Sequence, residues 1–340
     1  MFKELLNKCI TGDVLTEQEA CSMMDTIMQG NATSSQIASL LSILRFRGET
    51  VDEMTGFTKS MRSHMTTLSY EHEVIDTCGT GGDGASTFNI STASAIVASA
   101  LGVKVAKHGN RAVSSKSGSA DVLEELGIDI QETQEDAAIA LNQHGMSFLF
   151  APLYHKAMKH AVTPRKEIGF RTVFNLLGPL ANPARSKRQV IGVFSTEYAE
   201  KMAHTLRNLG SEHVLFVTGR DGLDECSIST ATDVVELKNG EIARYVLEPE
   251  DVGLVKGNPE DIKVSTVKES ATLIEAIFLN RANPSALNIV LFNSGVALYV
   301  GGRVKTIFEG IELAKNAIED GIVSDHFENL RTRKVKDYVK

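Results

Sequence analysis

Residues 76–92 read DTCGTGGDGASTFNIST, in which four glycines connect an apolar run to a second run rich in hydroxyl side chains. The β-branched residues that begin at Val74 predict a strand, the glycines predict a tight turn, and residues 91–101 predict an apolar helix that ends at Gly102. Glycine permits positive φ and lets backbone N–H groups approach an anion, while the positive end of a helix dipole favours negative charge. The segment therefore predicts a strand, a loop and a helix start that together bind phosphate.

The size and charge of the chain limit its class. It has 340 residues, 42% of them hydrophobic and 23% charged, which is typical of a folded globular protein. The length predicts two domains or one elaborated α/β domain. A net charge of −8 argues against a general nucleic-acid binder, which needs a basic face to neutralise phosphates. We therefore expect no nucleic-acid partner and a local anion site.

The cysteines and the apolar segments predict a cytoplasmic protein with no membrane partner. The cysteines are Cys9, Cys21, Cys78 and Cys226. Their spacing fits neither a metal site nor a redox dithiol, so they predict reduced thiols. Charged residues interrupt residues 1–12, which is not the pattern of a signal peptide. The most apolar segment, residues 286–300, is too short and too polar to span a bilayer and predicts a buried helix.

The pattern along the chain predicts an α/β fold with a small N-terminal all-helical domain and a larger α/β domain with a mostly parallel central sheet. Thr16 with Glu19 and Thr50 with Glu53 form capping-box patterns, and Gly30 and Gly48 predict helix ends. No strand pattern interrupts the first 65 or so residues. From Glu73 onward, short β-branched runs alternate with helical segments, which favours parallel strands.

The boundaries follow from the same alternation. Strands are predicted at residues 74–76, 103–107, 147–150, 189–194 and 214–218. Residues 164–177 predict a helix, and residues 178–183 predict a rigid break because of their two prolines. We therefore expect a helical domain at residues 1–70, joined by inserted helices at about 164–186, and an α/β domain at residues 73–163 and 187–340.

The glycine loop has a competing interpretation. Gly79, Gly81 and Gly84 match the G-x-G-x-x-G pattern of dinucleotide-binding folds. Such folds need an acidic residue at the end of the second strand, whereas that strand here ends at Lys107 and His108. The loop could also be a glycine-rich turn that binds no ligand, but Asp83 and the hydroxyl-rich residues after it argue against this interpretation. A lysine at this place favours phosphate.

A second polar cluster follows the second predicted strand. Residues 107–121 read KHGNRAVSSKSGSAD. Lys107, Arg111 and Lys116 can offer charge to a second phosphate, and the serines can offer hydroxyl and backbone donors. Taken alone, the cluster is equally consistent with a solvated loop and a helix N-cap at Ser117 or Ser119.

Two further features have both a functional and a structural interpretation. Asp224 and Glu225 follow an apolar strand, and two hard oxygen ligands suit Mg²⁺ bound jointly to phosphates, although an acidic surface turn is commoner. Arg165 could bind a carboxylate through two parallel hydrogen bonds, although such arginines are more often solvated. His155 and His160 lack the spacing of a zinc helix and predict surface residues.

Four motifs agree in order and spacing with one family. They are GTGGDG with NIST at residues 79–92, KHGNR through SGSAD at 107–121, TPR through NLLGPLANP at 163–183, and DGLDE at 221–225. Over essentially its whole length, the chain resembles the anthranilate phosphoribosyltransferase family, whose fold is that of the nucleoside-phosphorylase-like phosphoribosyltransferases. Cys226 and Ser227, which follow the acidic pair, have no interpretation in this pattern.

The resemblance implies an enzyme of tryptophan biosynthesis. In its reaction, the amino group of anthranilate displaces pyrophosphate from the anomeric carbon of phosphoribosyl pyrophosphate (PRPP) with the help of Mg²⁺. The product is phosphoribosyl-anthranilate. The resemblance also implies a homodimer formed through the helical domains. The sequence does not indicate whether the chain associates with anthranilate synthase.

The resemblance also implies roles at matching positions, none of which is that of a general acid, a general base or a nucleophile. The PRPP-binding positions are Gly79, Gly82, Asp83, Thr87, Asn89, Ile90, Ser91, Thr92, Lys107, His108, Gly109, Asn110, Arg111, Ala112, Val113, Ser114, Ser115 and Ser119. The anthranilate-binding positions are Gly79, Asn110 and Arg165. The Mg²⁺-binding positions are Ser91, Asp224 and Glu225.

A different phosphoribosyl acceptor, such as another aromatic acid, stays open at this stage, and so do two alternatives of other kinds. One is an enzyme similar to pyrimidine-nucleoside phosphorylases, which binds phosphate and a nucleoside instead of PRPP. The paired carboxylates of Asp224 and Glu225 favour a metal-bound pyrophosphate over this alternative. The other is a non-catalytic relative that binds nucleic acid, against which the acidic composition and the intact motifs argue.

Overall fold

The computed structural model describes residues 1–112 and 117–332 of the chain. The helices are α1 Phe2–Ile10, α2 Glu17–Met28, α3 Ser34–Arg47, α4 Val51–His64, α5 Ile90–Ala100, α6 Ser119–Glu125, α7 Gln134–His144, α8 Ala151–Tyr154, α9 Lys159–Ile168, α10 Val173–Leu180, α11 Thr196–Asn208, α12 Val267–Phe278, α13 Pro284–Val300, α14 Ile307–Glu319 and α15 Ile322–Thr332. The strands are β1 Ile75–Gly79, β2 Val105–Gly109, β3 Met146–Phe150, β4 Arg188–Gly192, β5 His213–Gly219, β6 Thr232–Lys238 and β7 Glu241–Leu247.

The N-terminal helices begin and end as the sequence predicts. Thr16 and Thr50 each form a capping box with the glutamate three residues later. Gly48 follows the last residue of α3 with φ of 85°. The buried carboxylate of Glu53 also accepts the N–H of Leu15 at 2.9 Å, so it ties the start of α4 to the segment that enters α2.

The strands form one sheet in the order β3-β2-β1-β4-β5-β6-β7. The pairs from β3 to β5 are parallel, and β5, β6 and β7 pair antiparallel. The predicted fold class is therefore confirmed, and each predicted strand overlaps an observed one. Parallel strands end at a common edge, so β1, β2 and β4 deliver the loops that follow them to one side of the molecule.

The hairpin of β6 and β7 is a feature that the sequence prediction omitted. Asn239 and Gly240 form its turn, with φ of 51° and 84°. Two positive φ values suit the right-handed twist of a two-residue hairpin, and Asn-Gly is a strong sequence signal for such a turn. The exposed and half-buried residues of β7 gave little apolar pattern, because this strand lies at the edge of the sheet.

The inserted helices differ from their prediction. A single helix at 164–177 is wrong: α9 includes Pro164 and ends at Gly169, which has φ of 70°, and α10 then begins at Val173. The rigid break predicted at 178–183 is also wrong at its start, because α10 continues through Pro179 to Leu180. Proline lacks the N–H group but keeps a helical φ, so these two prolines lie inside helices while glycine sets the helix end.

Apolar helices cover both faces of the sheet. One cluster joins α5, α6 and α12 to α15 to the sheet, and another joins α1 to α4 and the inserted helices to the opposite face and α11. The insert therefore packs on the N-terminal helices, while the exact domain boundaries stay a prediction. The buried helix predicted at 286–300 is confirmed as α13. No helix in the described part of the chain is long and apolar enough to cross a membrane.

Candidate active site

A polar cavity of about 310 Å³ lies at the edge where the parallel strands end. Its walls come from the loops that follow β1, β2 and β5, with one residue from α10 and one from the segment before α12. The lining residues are 78–83, 86–91, 107–112, 117–119, Asn175, Asp224, Glu225 and Val264. The cavity thus gathers three of the four sequence motifs and one asparagine of the fourth.

Most of the predicted site residues line this cavity. They are Gly79, Gly82, Asp83, Thr87, Asn89, Ile90, Ser91, Lys107, His108, Gly109, Asn110, Arg111, Ala112, Ser119, Asp224 and Glu225. Two do not: Arg165 lies outside the lining, and Thr92 is fully buried, where its hydroxyl donates to the side-chain oxygen of Asn89. Val113, Ser114 and Ser115, together with Lys116, lie outside the described residues.

The glycine loop is fixed to the acidic turn. Gly81 donates its N–H to Oδ2 of Asp224 at 2.7 Å. A Cβ on Gly79 would overlap that same carboxylate oxygen, so glycine is needed for the close approach. Gly82 has φ of 73°, a conformation that other residues rarely adopt. The loop and the Asp224 carboxylate therefore form one unit.

The N-terminus of α5 also faces the acidic turn. Asn89 is the N-cap, and its own N–H donates to Oγ of Ser270 at 3.0 Å. Ser91, in the first turn, donates its N–H to Oε1 of Glu225 at 3.2 Å. Free N–H groups and the helix dipole stabilise negative charge at this place, so the helix start can hold both Glu225 and a phosphate.

The acidic residues are short of positive charge. Burial and, after it, the carboxylate of Asp83 raise the pKa of Asp224 to about 6. Burial and then Asp224 raise the pKa of Glu225 well above its ordinary value, with Lys107 opposing the shift. Carboxylates crowded in this way relieve their repulsion by binding a divalent cation, and hard oxygens are the ligands that Mg²⁺ prefers.

The acidic turn provides only part of a metal site. No group of three or more His, Cys, Asp or Glu side chains within residues 1–112 and 117–332 is arranged to hold a metal ion by itself. Mg²⁺ is commonly bound by one or two carboxylates together with substrate phosphates and water. The donor set therefore fits an ion that shares its ligands with a bound phosphate compound.

Lys107 lies at the floor of the cavity. Its side chain is 1% exposed, and its Nζ donates to the carbonyl of Thr77 at 2.5 Å and to Oγ of Ser91 at 3.2 Å. Burial lowers the pKa of Lys107, and the carboxylate of Asp76 opposes this most strongly. The ammonium group is therefore held in a fixed position at the cavity rather than on a mobile surface chain.

Arg111 forms ion pairs with two acidic residues that are distant from it in the sequence. The guanidinium pairs with Asp121 at 2.9 Å and with Glu124, both on α6. Its charge is thus balanced within the protein, which differs from the expectation that it offers charge to a phosphate. These partners are ten and thirteen residues away, so only the fold brings them together.

Arg165 lies beside the main cavity on α9. Its Cζ lies 5.2 Å from the centre of the Phe174 ring, and burial alone lowers the pKa of its guanidinium. Among the described residues, no carboxylate forms an ion pair with Arg165. A half-buried cation that lacks an anionic partner among the described residues is suited to a carboxylate ligand.

His155 is not the surface residue that its spacing predicts. The ring is buried, and its centre lies 5.0 Å from that of His108. Burial lowers the pKa of His155 to about 4 and that of His108 to about 3, so both rings are neutral near pH 7. The short helix α8 follows β3 directly and turns the chain back toward β2, which no local pattern indicates.

Asn175 is a cavity residue to which the sequence assigned no role. It lies in the first turn of α10, and its Oδ1 accepts the N–H of Thr172 at 3.1 Å. Asn175 is the first residue of the NLLGP motif, so the sequence marked its position but did not indicate a role for its side chain. Phe88 and Val264 also line the cavity and are apolar, which gave no sign of a site.

Two family models match the chain and divide it between them. The model described as "Glycosyl transferase family, helical bundle domain" matches residues 3–65. The model described as "Glycosyl transferase family, a/b domain" matches residues 71–323. Among curated proteins, an anthranilate phosphoribosyltransferase of Geobacillus sp. (strain WCH70) is 67% identical over 99% of this chain and 100% of that protein. The chain belongs to the anthranilate phosphoribosyltransferase family.

Solved structures of anthranilate phosphoribosyltransferases agree with this assignment. The enzyme from Thermus thermophilus is 38% identical, with a TM-score of 0.90 over 96% of this chain and 98% of that one. The enzyme from Saccharomyces cerevisiae in complex with PRPP and Mg is 27% identical, with a TM-score of 0.87 over 97% and 96%. The resemblance drawn from the motifs is confirmed, and the phosphorylase and nucleic-acid alternatives are not favoured.

Proposed function

We propose that this protein transfers the phosphoribosyl group of PRPP to the amino group of anthranilate, which gives N-(5-phosphoribosyl)anthranilate and pyrophosphate in tryptophan biosynthesis. One observation supports this most directly: a single cavity joins the glycine loop, the buried Lys107 and the Asp224–Glu225 carboxylates, in a chain of this family. The nitrogen–carbon bond forms as the carbon–oxygen bond to pyrophosphate breaks, and the amine loses a proton to solvent.

The donor is held by the loop and the helix start. As pyrophosphate leaves, positive charge develops on the ribose and negative charge on the leaving group. The backbone N–H groups of Gly82 and Asp83 can donate to phosphate oxygens, the positive end of the α5 dipole favours them, and Lys107 adds a fixed positive charge at the cavity. Because these groups are already in place, little reorganisation is needed in the transition state.

We propose that Mg²⁺ is held by Asp224, Glu225 and the hydroxyl of Ser91. Bound magnesium neutralises charge on the departing pyrophosphate. Hydrogen bonds already orient the two carboxylates, since the N–H of Gly81 donates to Asp224 and the N–H of Ser91 donates to Glu225. Ser91 Oγ accepts from Lys107, which fixes the direction of its lone pairs.

The acceptor is proposed to bind with its carboxylate at Arg165 and its ring near Gly79 and Asn110. Arg165 is held by the ring of Phe174 and has no anionic partner among the described residues. This placement would direct the amine toward the anomeric carbon, so that the two reacting groups are already oriented before the bond forms. An aromatic amine is neutral at pH 7, and the neutral His108 and His155 fit a site without a strong general base.

The first experiment follows the loss of anthranilate fluorescence on addition of PRPP and Mg²⁺. We expect loss that EDTA abolishes and that the double variant Asp224→Asn/Glu225→Gln reduces by at least about a hundredfold. The matched control is Glu319→Gln/Asp320→Asn, an adjacent acidic pair that is exposed at the end of α14. Undiminished turnover in the double variant would contradict the metal site, and no turnover in the wild type would contradict the reaction.

We also propose a homodimer formed through the helical domain and a cytoplasmic location. The helical domain exposes Ile10 (70%), Val14 (49%) and Phe46 (95%), which is a costly set of apolar side chains to leave in water. The four cysteines form no disulfide, as expected for a reducing compartment.

A further inference from the structure

Arg171 is a cation in contact with the glycine loop to which no role has been assigned above. A Cβ built on Gly82 would lie 2.6 Å from Nη2, 2.7 Å from Nε and 2.8 Å from Cζ of Arg171. The side-chain position that Gly82 leaves vacant is therefore occupied by the guanidinium group of Arg171. Glycine suits this place because its φ of 73° is one that other residues rarely adopt and because a Cβ would force the guanidinium to move.

An aromatic ring holds the same guanidinium in place. Cζ of Arg171 lies 4.8 Å from the centre of the Phe194 ring, and that ring lies 5.3 Å from the ring of Tyr198 on α11. A guanidinium over an aromatic face is attracted to it and loses rotational freedom. Among the described residues, no carboxylate forms an ion pair with Arg171. Its position is thus set by packing rather than by a neighbouring charge.

The segment that carries Arg171 connects both sides of the active site. Residues 169–172 join α9, which carries Arg165, to α10, which carries Asn175 into the cavity. Gly169 donates to the carbonyl of Arg165 at 3.3 Å, and Thr172 donates to Oδ1 of Asn175 at 3.1 Å. A shift of Arg171 would therefore be transmitted to Arg165, which is proposed to bind the acceptor, and to Asn175 in the cavity.

The Arg171 contact adds to the bonds that hold the glycine loop, in which the N–H of Gly81 already donates to Asp224. A Cβ on Gly81 or Gly84 would meet no described atom within 4 Å, so of these three glycines Gly82 is the one whose vacant side-chain position faces another side chain. Glycine residues lose more conformational entropy on ordering than any other residue. A contact at Gly82 orders the loop before the donor binds, so less conformational entropy of the loop is lost on binding.

We propose that Arg171 is a positioning residue that couples donor binding to acceptor binding. The inference rests on the proposed transfer reaction and goes beyond it by assigning the residue that links its two subsites. PRPP fixes the loop at Gly82, Gly82 fixes Arg171, and Arg171 fixes the connector between α9 and α10. Coupling of this kind is reciprocal, so each substrate raises the affinity for the other by the same factor.

The test measures the coupling factor directly. Initial velocities over a grid of PRPP and anthranilate concentrations give the apparent affinity for each substrate with and without the other, and calorimetry of PRPP with Mg²⁺ gives the donor affinity alone. We expect a wild-type factor on the order of ten, and about one in Arg171→Ala. Lys166→Ala removes an exposed cation from the same insert and should keep the wild-type factor.

A second variant keeps the test independent of folding. Phe194→Leu leaves Arg171 in the chain but removes the ring that orients it, and we expect the factor to fall at least about threefold. A wild-type factor of one, or an unchanged factor in folded Arg171→Ala or Phe194→Leu, overturns the inference. A wild type without any transfer activity would instead contradict the proposed function, so the two failures are distinguishable.

Discussion

Asp224 is held where three chain segments meet, and glycines make that position possible. Its carboxylate fills the space that a Cβ on Gly79 would take, and its carbonyl does the same at Gly192 on β4. The N–H of Gly81 fixes the remaining orientation at 2.7 Å. Substitution of Gly79 or Gly192 would therefore displace a proposed magnesium ligand even though neither residue touches the ion.

Substitution of Arg165 tests the proposal that this residue binds the carboxylate of the acceptor. A hydrogen bond between charged groups contributes about 1.5–3 kcal/mol, so Arg165→Ala should raise KM for anthranilate about 10- to 100-fold. KM for PRPP should change much less. Arg165→Lys should recover only part of the loss, because an ammonium group cannot make two parallel hydrogen bonds to a carboxylate. Steady-state kinetics with each substrate varied in turn measure both constants.

The control for Arg165 is Lys166→Ala, which removes the neighbouring exposed cation. Thermal unfolding completes the comparison. Since Arg165 is a half-buried cation without an anionic partner among the described residues, its loss should leave stability unchanged or slightly raised. An unchanged KM for anthranilate in Arg165→Ala would mean that the carboxylate binds elsewhere.

The motifs predicted which residue types gather at the site but not their partners. Glycines, hydroxyls and paired acids have spacings that chemistry explains, so Gly79, Ser91 and Asp224 could be found from the sequence. The balance of charge could not, since Arg111 pairs with acids on α6 only after the chain has folded. His155 was misplaced for the same reason, because its burial depends on a strand far away in sequence.

At the scale of elements, β2 and the segment after α8 bury two neutral imidazoles against each other. His108 lies in β2, and His155 follows α8. An imidazole held neutral in the fold and free to protonate when unfolded makes stability depend on pH. Below the pKa of 6.5 that these imidazoles have in the unfolded chain, the unfolded state binds more protons than the folded state. The free energy of unfolding therefore falls as the pH falls.

His155→Gln measures this effect. The pKa of His155 drops from 6.5 to about 4 on folding, so its contribution is fully present above pH 6.5 and is lost as the pH falls toward 4. Within that window one such histidine contributes a slope of up to about 1.4 kcal/mol per pH unit. We expect urea unfolding at several pH values to give a shallower slope for His155→Gln than for the wild type.

The exposed His72 supplies the control for this series, since His72→Gln changes a histidine that is not buried. Its slope should match that of the wild type. Equal slopes in the wild type and His155→Gln between pH 4 and 6.5 would show that His155 is accessible to protons in the folded state.

Element boundaries were predictable where one local signal dominates. The parallel strands coincide with short runs of β-branched and apolar residues, and the capping boxes of α2 and α4 fix helix starts through their own side chains. The inserted helices were divided wrongly because proline was given more weight than Gly169. The β6–β7 hairpin was missed because an edge strand lacks the apolar run of a buried one, although Asn239-Gly240 marked its turn.

At the scale of the whole molecule, the helical domain presents an apolar surface that its own core does not use. Nη1 of Arg47 donates to the carbonyl of Asp13 at 2.6 Å, which brings the end of α3 beside the segment after α1. Phe46 and Val14 flank this contact, and Ile10 ends α1 just before it. Exposed apolar side chains grouped in this way are typical of an interface between proteins.

A homodimer through this surface predicts a particle of twice the chain mass of 36.9 kDa in sedimentation equilibrium. The variant Ile10→Ser/Phe46→Ser removes apolar area at the surface and should shift the protein toward the single-chain mass at micromolar concentration. Phe308→Ser is the matched control, because Phe308 is 51% exposed on α14 of the α/β domain and should leave the dimer intact. A wild type that sediments at the single-chain mass would contradict the dimer. A double variant that remains dimeric would place the interface on another face of the molecule.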